Sequence, residues 1–290
     1  MRWNFVVAGD NLGFSRVSER RNQPLNNRMQ GPAQGFRYWV QAVLAHHGPH
    51  PGASGIGEVY QTSTIAALLD GVYDGEVTIG ELLEHGDFGL GTFNRLDGEM
   101  VVLEGNCYHL HADGSVSIAA ADERTPFAAV TRFVPDLTFP VTSALARDAL
   151  TSDIDRRLAS ENLLYAVRIT GQFSTVHTRT VAAQHRPYPP LTTAAHGQQE
   201  AVFDDCTGTL AGYRTPDYEQ GIAVAGYHLH FLDDARTRGG HALDFHLVQG
   251  TVEVSTASEL HLSLPRTPEF LAARLGHVDL DAQIRQAEGS

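Results

Sequence analysis

Gly226-Tyr-His228-Leu-His230-Phe-Leu-Asp-Asp-Ala-Arg-Thr-Arg-Gly-Gly-His241 reads as a β-hairpin that carries three histidines on one face. Successive side chains of a strand point to opposite faces, so His228 and His230 share one face while Leu229 and Phe231 take the other. Asp233-Asp234 and Gly239-Gly240 are turn residues, and the alternation resumes at His241-Ala-Leu-Asp-Phe245. Folded symmetrically about Arg236, the hairpin sets His230 opposite His241 with Cβ atoms roughly 5 Å apart, and His228 on the diagonal at roughly 7 Å. Three imidazoles then converge on one point. Three nitrogen ligands with a fourth position open is the pattern of a catalytic rather than a structural zinc ion (Zn2+), and no cysteine lies near enough to close the shell.

A chain with fifteen histidines also produces His-x-His by chance, and such a pair is more often exposed or merely hydrogen-bonded than a ligand. A second example is present in Cys107-Tyr-His109-Leu-His111, followed by the turn pair Asp113-Gly114. No third histidine follows it across the turn. It reads as an ordinary edge hairpin.

At 290 residues the chain can bury a substantial core as one large or two small domains. The formal net charge of -13, with no Lys/Arg run, opposes binding to nucleic acid. Two cysteines, Cys107 and Cys206, are too few for a disulfide framework and suit a reducing cytosol. No run of about eighteen apolar residues exists to span a membrane, and the first residues lack the apolar core of a signal peptide. These features predict a soluble, cytoplasmic protein.

Residues 1–58 are rich in Arg, Asn, Gln, Gly and Pro and read as a largely irregular extension. One short helix is expected within it, over residues 36–45. From Val59 the pattern becomes compact and continues to residue 290 as one domain of two structural halves, with a boundary near 140–160. Thr62–Asp70 reads as a capped amphipathic helix, and Thr78–His85 as a second helix ended by Gly86. Asp87-Phe-Gly-Leu-Gly-Thr-Phe93 is a glycine-rich strand whose spacing does not match the Gly-x-Gly-x-x-Gly nucleotide fingerprint. Leu96-Asp-Gly-Glu99 is a tight turn into the apolar run from Met100. Further strands are expected at 127–133, 164–171, 174–181, 250–255 and 259–264. Helices are expected at 147–158, 268–275 and 280–288. Many strands with few covering helices define a mixed α+β class, with mixed or antiparallel strands in two sheet-containing halves.

Metal-assisted chemistry on an oxygen substrate usually needs a cation for a carboxylate and an acid or base for proton transfer. Strand alternation puts His177 and Arg179 on one face, where Arg179 could grip a carboxylate, although most arginines simply face solvent. Glu99, after its Asp-Gly turn, is equally open to either reading. Glu288 lies near the end of the chain, where fraying is the default.

From Tyr60 onward the chain closely resembles the α-acetolactate decarboxylase family. The resemblance rests on Tyr60-Gln-Thr-Ser-Thr, Leu68-Leu-Asp-Gly-Val-Tyr-Asp-Gly75, Gly86-Asp-Phe-Gly-Leu-Gly-Thr-Phe-Asn94, Leu96-Asp-Gly-Glu99, Thr178-Arg-Thr-Val181, the three-histidine hairpin and Glu288-Gly-Ser290. The N-terminal extension, His109 and His111 depart from the family pattern. The resemblance implies zinc-dependent conversion of 2-acetolactate to acetoin and carbon dioxide, through an enediolate whose charge the metal stabilises. It implies zinc on His228, His230 and His241, a site lined by Glu99, Arg179 and Glu288, and a homodimer. Two other classes compete. A cupin-like metal dioxygenase or isomerase would use His228-x-His230, but its second motif is not visible downstream. A non-catalytic, zinc-stapled binding module would use the same histidines only as a brace.

Overall fold

The computed structural model describes residues 56–276 and 279–288. Nearly all of the expected extension, including the helix expected over residues 36–45, lies outside the described residues.

Strand β1 (Glu58–Thr62) leads into helix α1 (Ile65–Leu69), where the Thr64 hydroxyl accepts a hydrogen bond from the Ala67 amide as the N-cap. After β2 (Val77–Thr78), helix α2 (Ile79–His85) opens with a capping box: the Thr78 hydroxyl accepts from the Glu81 amide while the Glu81 carboxylate accepts from the Thr78 amide. Then come β3 (Phe88–Thr92), β4 (Glu99–Leu103), β5 (Asn106–Leu110), β6 (Val116–Ile118), β7 (Arg124–Thr125) and β8 (Phe127–Thr131). The next elements are β9 (Leu137–Val141), β10 (Leu145–Ala146), α3 (Arg147–Asp155), β11 (Leu164–Thr180), α4 (Leu191–Ala194) and β12 (Gln199–Thr215). The chain continues with β13 (Gly226–Asp233), β14 (Gly239–Ala257), β15 (Glu259–Ser263), α5 (Pro268–Ala272) and α6 (Leu280–Glu288). No helix among the described residues is long and apolar enough to cross a membrane.

Two sheets result. The first runs β15-β1-β8-β3-β4-β5-β6, antiparallel throughout except for the parallel pair β1 and β15. The second runs β10-β14-β11-β12-β13 with β9 beside β14, and β13 pairs back onto β14. Strands β14, β11, β12 and β13 therefore close into a circuit. Alternation along β11 divides the core: Tyr165, Val167 and Ile169 pack against the inner cluster with Phe173 and Phe231, while Leu164 and Ala166 face Phe88, Leu90 and Val101 of the first sheet. The glycines of β3 serve this packing, since a Cβ at Gly89 would lie 2.1 Å from the Ala129 carbonyl oxygen of the neighbouring strand.

The mixed, strand-dominated class is as expected, and the differences are local. Helix α1 is not amphipathic, because all five of its residues are buried. The runs 164–171 and 174–181 form one strand of 17 residues, interrupted only by register shifts between Gln172 and Thr175 and after His177. These bulges hide the continuity, since each extra residue flips the alternation that marks a strand. Likewise the runs beginning at His241 and Gly250 are parts of the single strand β14. Strand β12 has no counterpart in the sequence reading; its first half, Gln199–Asp205, is polar and half-exposed, without an apolar period to reveal it.

Candidate metal centre

The hairpin forms in the register that its sequence predicts. His230 pairs with His241, and Leu232 with Gly239. Asp233 organises the turn, its carboxylate accepting from the Thr237 and Arg238 amides, while Arg236 takes a left-handed conformation with φ 57°. Closure of the barrel-like circuit then brings β11 alongside, so that Arg179 pairs with His241. One row across three strands thus carries Arg179, His241 and His230.

The three imidazoles lie with ring centroids 4.9–5.3 Å apart, and one nitrogen from each lies within 4.8 Å of the others. Their free nitrogens are determined by what the opposite nitrogen does. His230 Nδ1 lies 2.8 Å from the Met100 carbonyl oxygen, which can only accept, so Nδ1 carries the proton and Nε2 presents a lone pair. His241 has the reverse tautomer: its Nε2 donates to the Glu288 carbonyl at 2.9 Å, leaving Nδ1 free. A backbone carbonyl behind a ligating histidine is the usual support for a metal-binding nitrogen.

Burial keeps all three rings neutral. It pushes His228 and His230 down to about 3, with further contributions from Arg179 for His228 and from His228 for His230. His241 is held well below the ordinary histidine value for the same first reason. A neutral imidazole is the form that binds a metal. His230 Nε2 is buried without any hydrogen-bond partner, an arrangement that costs free energy unless a ligand occupies it. The donor set therefore fits a divalent metal ion.

The other residues singled out in the sequence also converge here. Glu99, the first residue of β4, sets Oε2 3.5 Å from His230 Nε2. Burial pushes its carboxyl up to about 8, against the opposing pull of Arg179. Glu288 is not frayed: its carboxylate lies 3.1 Å from Arg179, 3.8 Å from His228 Nε2 and 3.7 Å from His241 Nδ1. Ile284 and Ala287 of α6 anchor it, packing in a cluster with Ile65, Leu68 and Leu191 of α1 and α4. Arg179 is 5% exposed and holds Gln198 at 3.2 Å, yet its Nε has no partner. Thr92, Glu99, Arg179, His228, His230 and Glu288 line one pocket. Sequence reasoning missed Gln198 and the two carbonyls that set the tautomers; backbone acceptors leave no trace in residue identity.

The second His-x-His pair behaves differently. Asp97, His109 and His111 also bring three ligand-type atoms within 4.8 Å of one another. The third group comes from the turn before β4 rather than from across the Asp113-Gly114 turn where the sequence reading sought it. However, His109 uses Nε2 on the Asp97 carbonyl oxygen at 2.6 Å and sets Nδ1 3.3 Å from Glu123, while His111 bonds Ser117.

The sequence profile described as Alpha-acetolactate decarboxylase matches residues 59–277. The α-acetolactate decarboxylase of Bacillus subtilis strain 168 is 43% identical over 235 residues, covering 81% of this chain and 92% of that protein. That of Raoultella terrigena is 46% identical over 249 residues, covering 86% and 93%. The crystal structure of the Bacillus subtilis strain 168 enzyme superimposes with a TM-score of 0.79, covering 80% of this chain and all of that one. The profile match stops before α6, so the position of Glu288 rests on the geometry above.

Proposed function

The chain belongs to the α-acetolactate decarboxylase family, a family of carboxy-lyases, and on that premise we propose that it converts 2-acetolactate to acetoin and carbon dioxide at a zinc ion held by His228, His230 and His241. The observation that carries this reading is the convergence of three neutral ring nitrogens, one of them buried and unpartnered, beside a buried arginine. When bound, the metal supplies a Lewis acid for the ketone and hydroxyl oxygens of the substrate, where negative charge develops as carbon dioxide departs.

The remaining steps belong to side chains. Arg179 binds the substrate carboxylate, its guanidinium held in orientation by Glu288 and Gln198. As the bond from the carboxylate carbon to C2 breaks, its electron pair moves into the C2–C3 bond and the ketone oxygen takes the charge. Glu99, whose carboxyl burial raises in the metal-free site, is the acid placed to pass a proton to C2, which completes acetoin. Helix α6, with Ala287 and Glu288 in the pocket wall, excludes water from this step. The buried, unpaired Cys107 and Cys206 favour a reducing compartment, the cytosol. A homodimer, which the family resemblance implies, is read out by sedimentation velocity.

The test is acetoin release from racemic acetolactate by the purified protein, before and after chelation and again with zinc restored. Rapid release, lost on chelation and regained with zinc, is expected. No release from a fully zinc-loaded protein overturns the reading.

A further inference from the structure

The turn that delivers Glu99 into the pocket is strained. Arg95 and Leu96 both take left-handed backbone conformations, with φ 67° and 57°, and Gly98 follows with φ 76°. Two non-glycine residues in that region persist only where the surroundings over-determine them, and such strain gathers at functional sites. Four of the supports are main-chain or hydroxyl bonds: Arg95 N to the Tyr73 carbonyl, Gln184 N to the Arg95 carbonyl, Gly98 N to the Val181 carbonyl, and the Thr92 hydroxyl to the Gly98 carbonyl. The bond to Val181 ties the turn to the end of the segment that carries Arg179.

Side chains add to these: Asn94 bonds the Gly75 amide and carbonyl, Arg95 pairs with Asp97, and His109 reaches in from the neighbouring strand. His109 reaches from β5 to the Asp97 carbonyl oxygen, two residues before Glu99, at 2.6 Å. The residue is 4% exposed, and its ring stacks on Phe93 at 3.8 Å and meets the tilted His111 ring at 3.9 Å. Because a carbonyl oxygen can only accept, Nε2 must carry the proton. The bond therefore persists whether or not Nδ1 is protonated, and the titration of His109 does not control it.

We propose that His109 is a positioning residue for Glu99: its Nε2–H grips the Asp97 carbonyl and holds the strained turn at residues 93–98 in the one arrangement that aims Glu99 at His230. This inference rests on the decarboxylase reading of the site, which needs Glu99 at a defined distance from the substrate carbon. Among the described residues no hydrogen bond, ion pair or ring contact joins the His109 side chain to the three metal-site histidines or Arg179, so loss of the bond alters the placement of Glu99 without removing a ligand.

The experiment compares zinc-loaded wild type with H109Q, H109L and H109F. Glutamine keeps an N–H donor for the Asp97 carbonyl, leucine keeps apolar volume, and phenylalanine keeps the stack on Phe93. Turnover, KM, zinc per chain and melting temperature are measured for each. Expected is a fall in kcat of about tenfold or more in H109L and H109F, the scale set by small misplacements of a catalytic group. KM and zinc content stay near wild type, and H109Q recovers most of the rate. Equal kcat in all four proteins overturns the proposal. So does an equal loss in all three variants, which assigns the effect to packing, and so does failure of both apolar variants to fold beside a fully active H109Q, which assigns the bond to stability. Inactive wild type overturns the functional reading instead, before any variant is compared.

Discussion

Two His-x-His pairs occur among the described residues, and only one of them joins a cluster in which three ring nitrogens converge. In the metal centre, His230 of β13 and His241 of β14 each turn one ring nitrogen to a backbone carbonyl and leave the other without a hydrogen bond. In β5, His109 has both nitrogens facing oxygen atoms and His111 bonds Ser117. Spacing is the same in both. The difference lies in what stands behind each ring, and it teaches that the outer hydrogen bond decides whether a histidine is a ligand or a brace.

That contrast breaks first if His230→Ala retains metal. The substitution should abolish zinc binding and all acetoin release, measured as metal per chain and as turnover; full activity at trace metal sinks the metal assignment. Arg179→Ala should keep the zinc and lower kcat by about 10²- to 10³-fold, the usual cost of removing one charged stabiliser at a reacting centre. A near-normal rate would remove Arg179 from the chemistry. Deleting residues 286–290 should lower turnover by about tenfold or more while the far-ultraviolet circular dichroism stays unchanged, because Glu288 orients Arg179 and supports His241 from a short helix at the rim. Unchanged kinetics would reduce α6 to a bystander.

A smaller effect separates the site by pH. In the metal-free protein the three depressed histidines bind fewer protons than in the unfolded chain, so they lower stability as pH falls below 6.5, down to about 3 for His228 and His230 and in the same sense for His241. Glu99 acts in the opposite sense: raised to about 8, it holds a proton in the folded state that the unfolded chain has lost, and its contribution declines as pH rises from 4.5 to 8. Urea denaturation of chelated wild type and Glu99→Gln between pH 5 and 8 should therefore show the wild type losing ground by at most about 1.4 kcal/mol per pH unit. A pH-independent difference would contradict the buried state of Glu99. Least affected of all should be His111→Ala, since this ring is half-exposed and touches no residue of the pocket; its kcat and zinc content should match wild type, and a clear loss of either would blur the distinction between the two histidine pairs.

Much of the site was legible beforehand. The turn residues Asp233 and Gly239-Gly240 dictate the hairpin register, and register alone sets His230 against His241. Glu99 and Glu288 were not legible from their surroundings, because a turn residue and a tail residue look alike whether they enter a pocket or meet solvent. The resemblance to the family, rather than any local pattern, marked them. Among the strands, β12 escaped notice because its polar first half has no alternation, and β11 was split because its bulges reverse the pattern midway.

What the amino-acid sequence determines by itself is local: caps at Thr64 and Thr78, the hairpin turn, the faces of the strands, and the chemical identity of the donors. These depend on interactions within a few residues, which spacing encodes directly. Tertiary structure alone decides that Arg179 pairs with His241, that Met100 and Glu288 lend the carbonyls which choose the two tautomers, and that desolvation raises the Glu99 carboxyl. Desolvation and long-range hydrogen bonding arise from neighbours 47 to 130 residues away in the chain, and no spacing rule reaches that far.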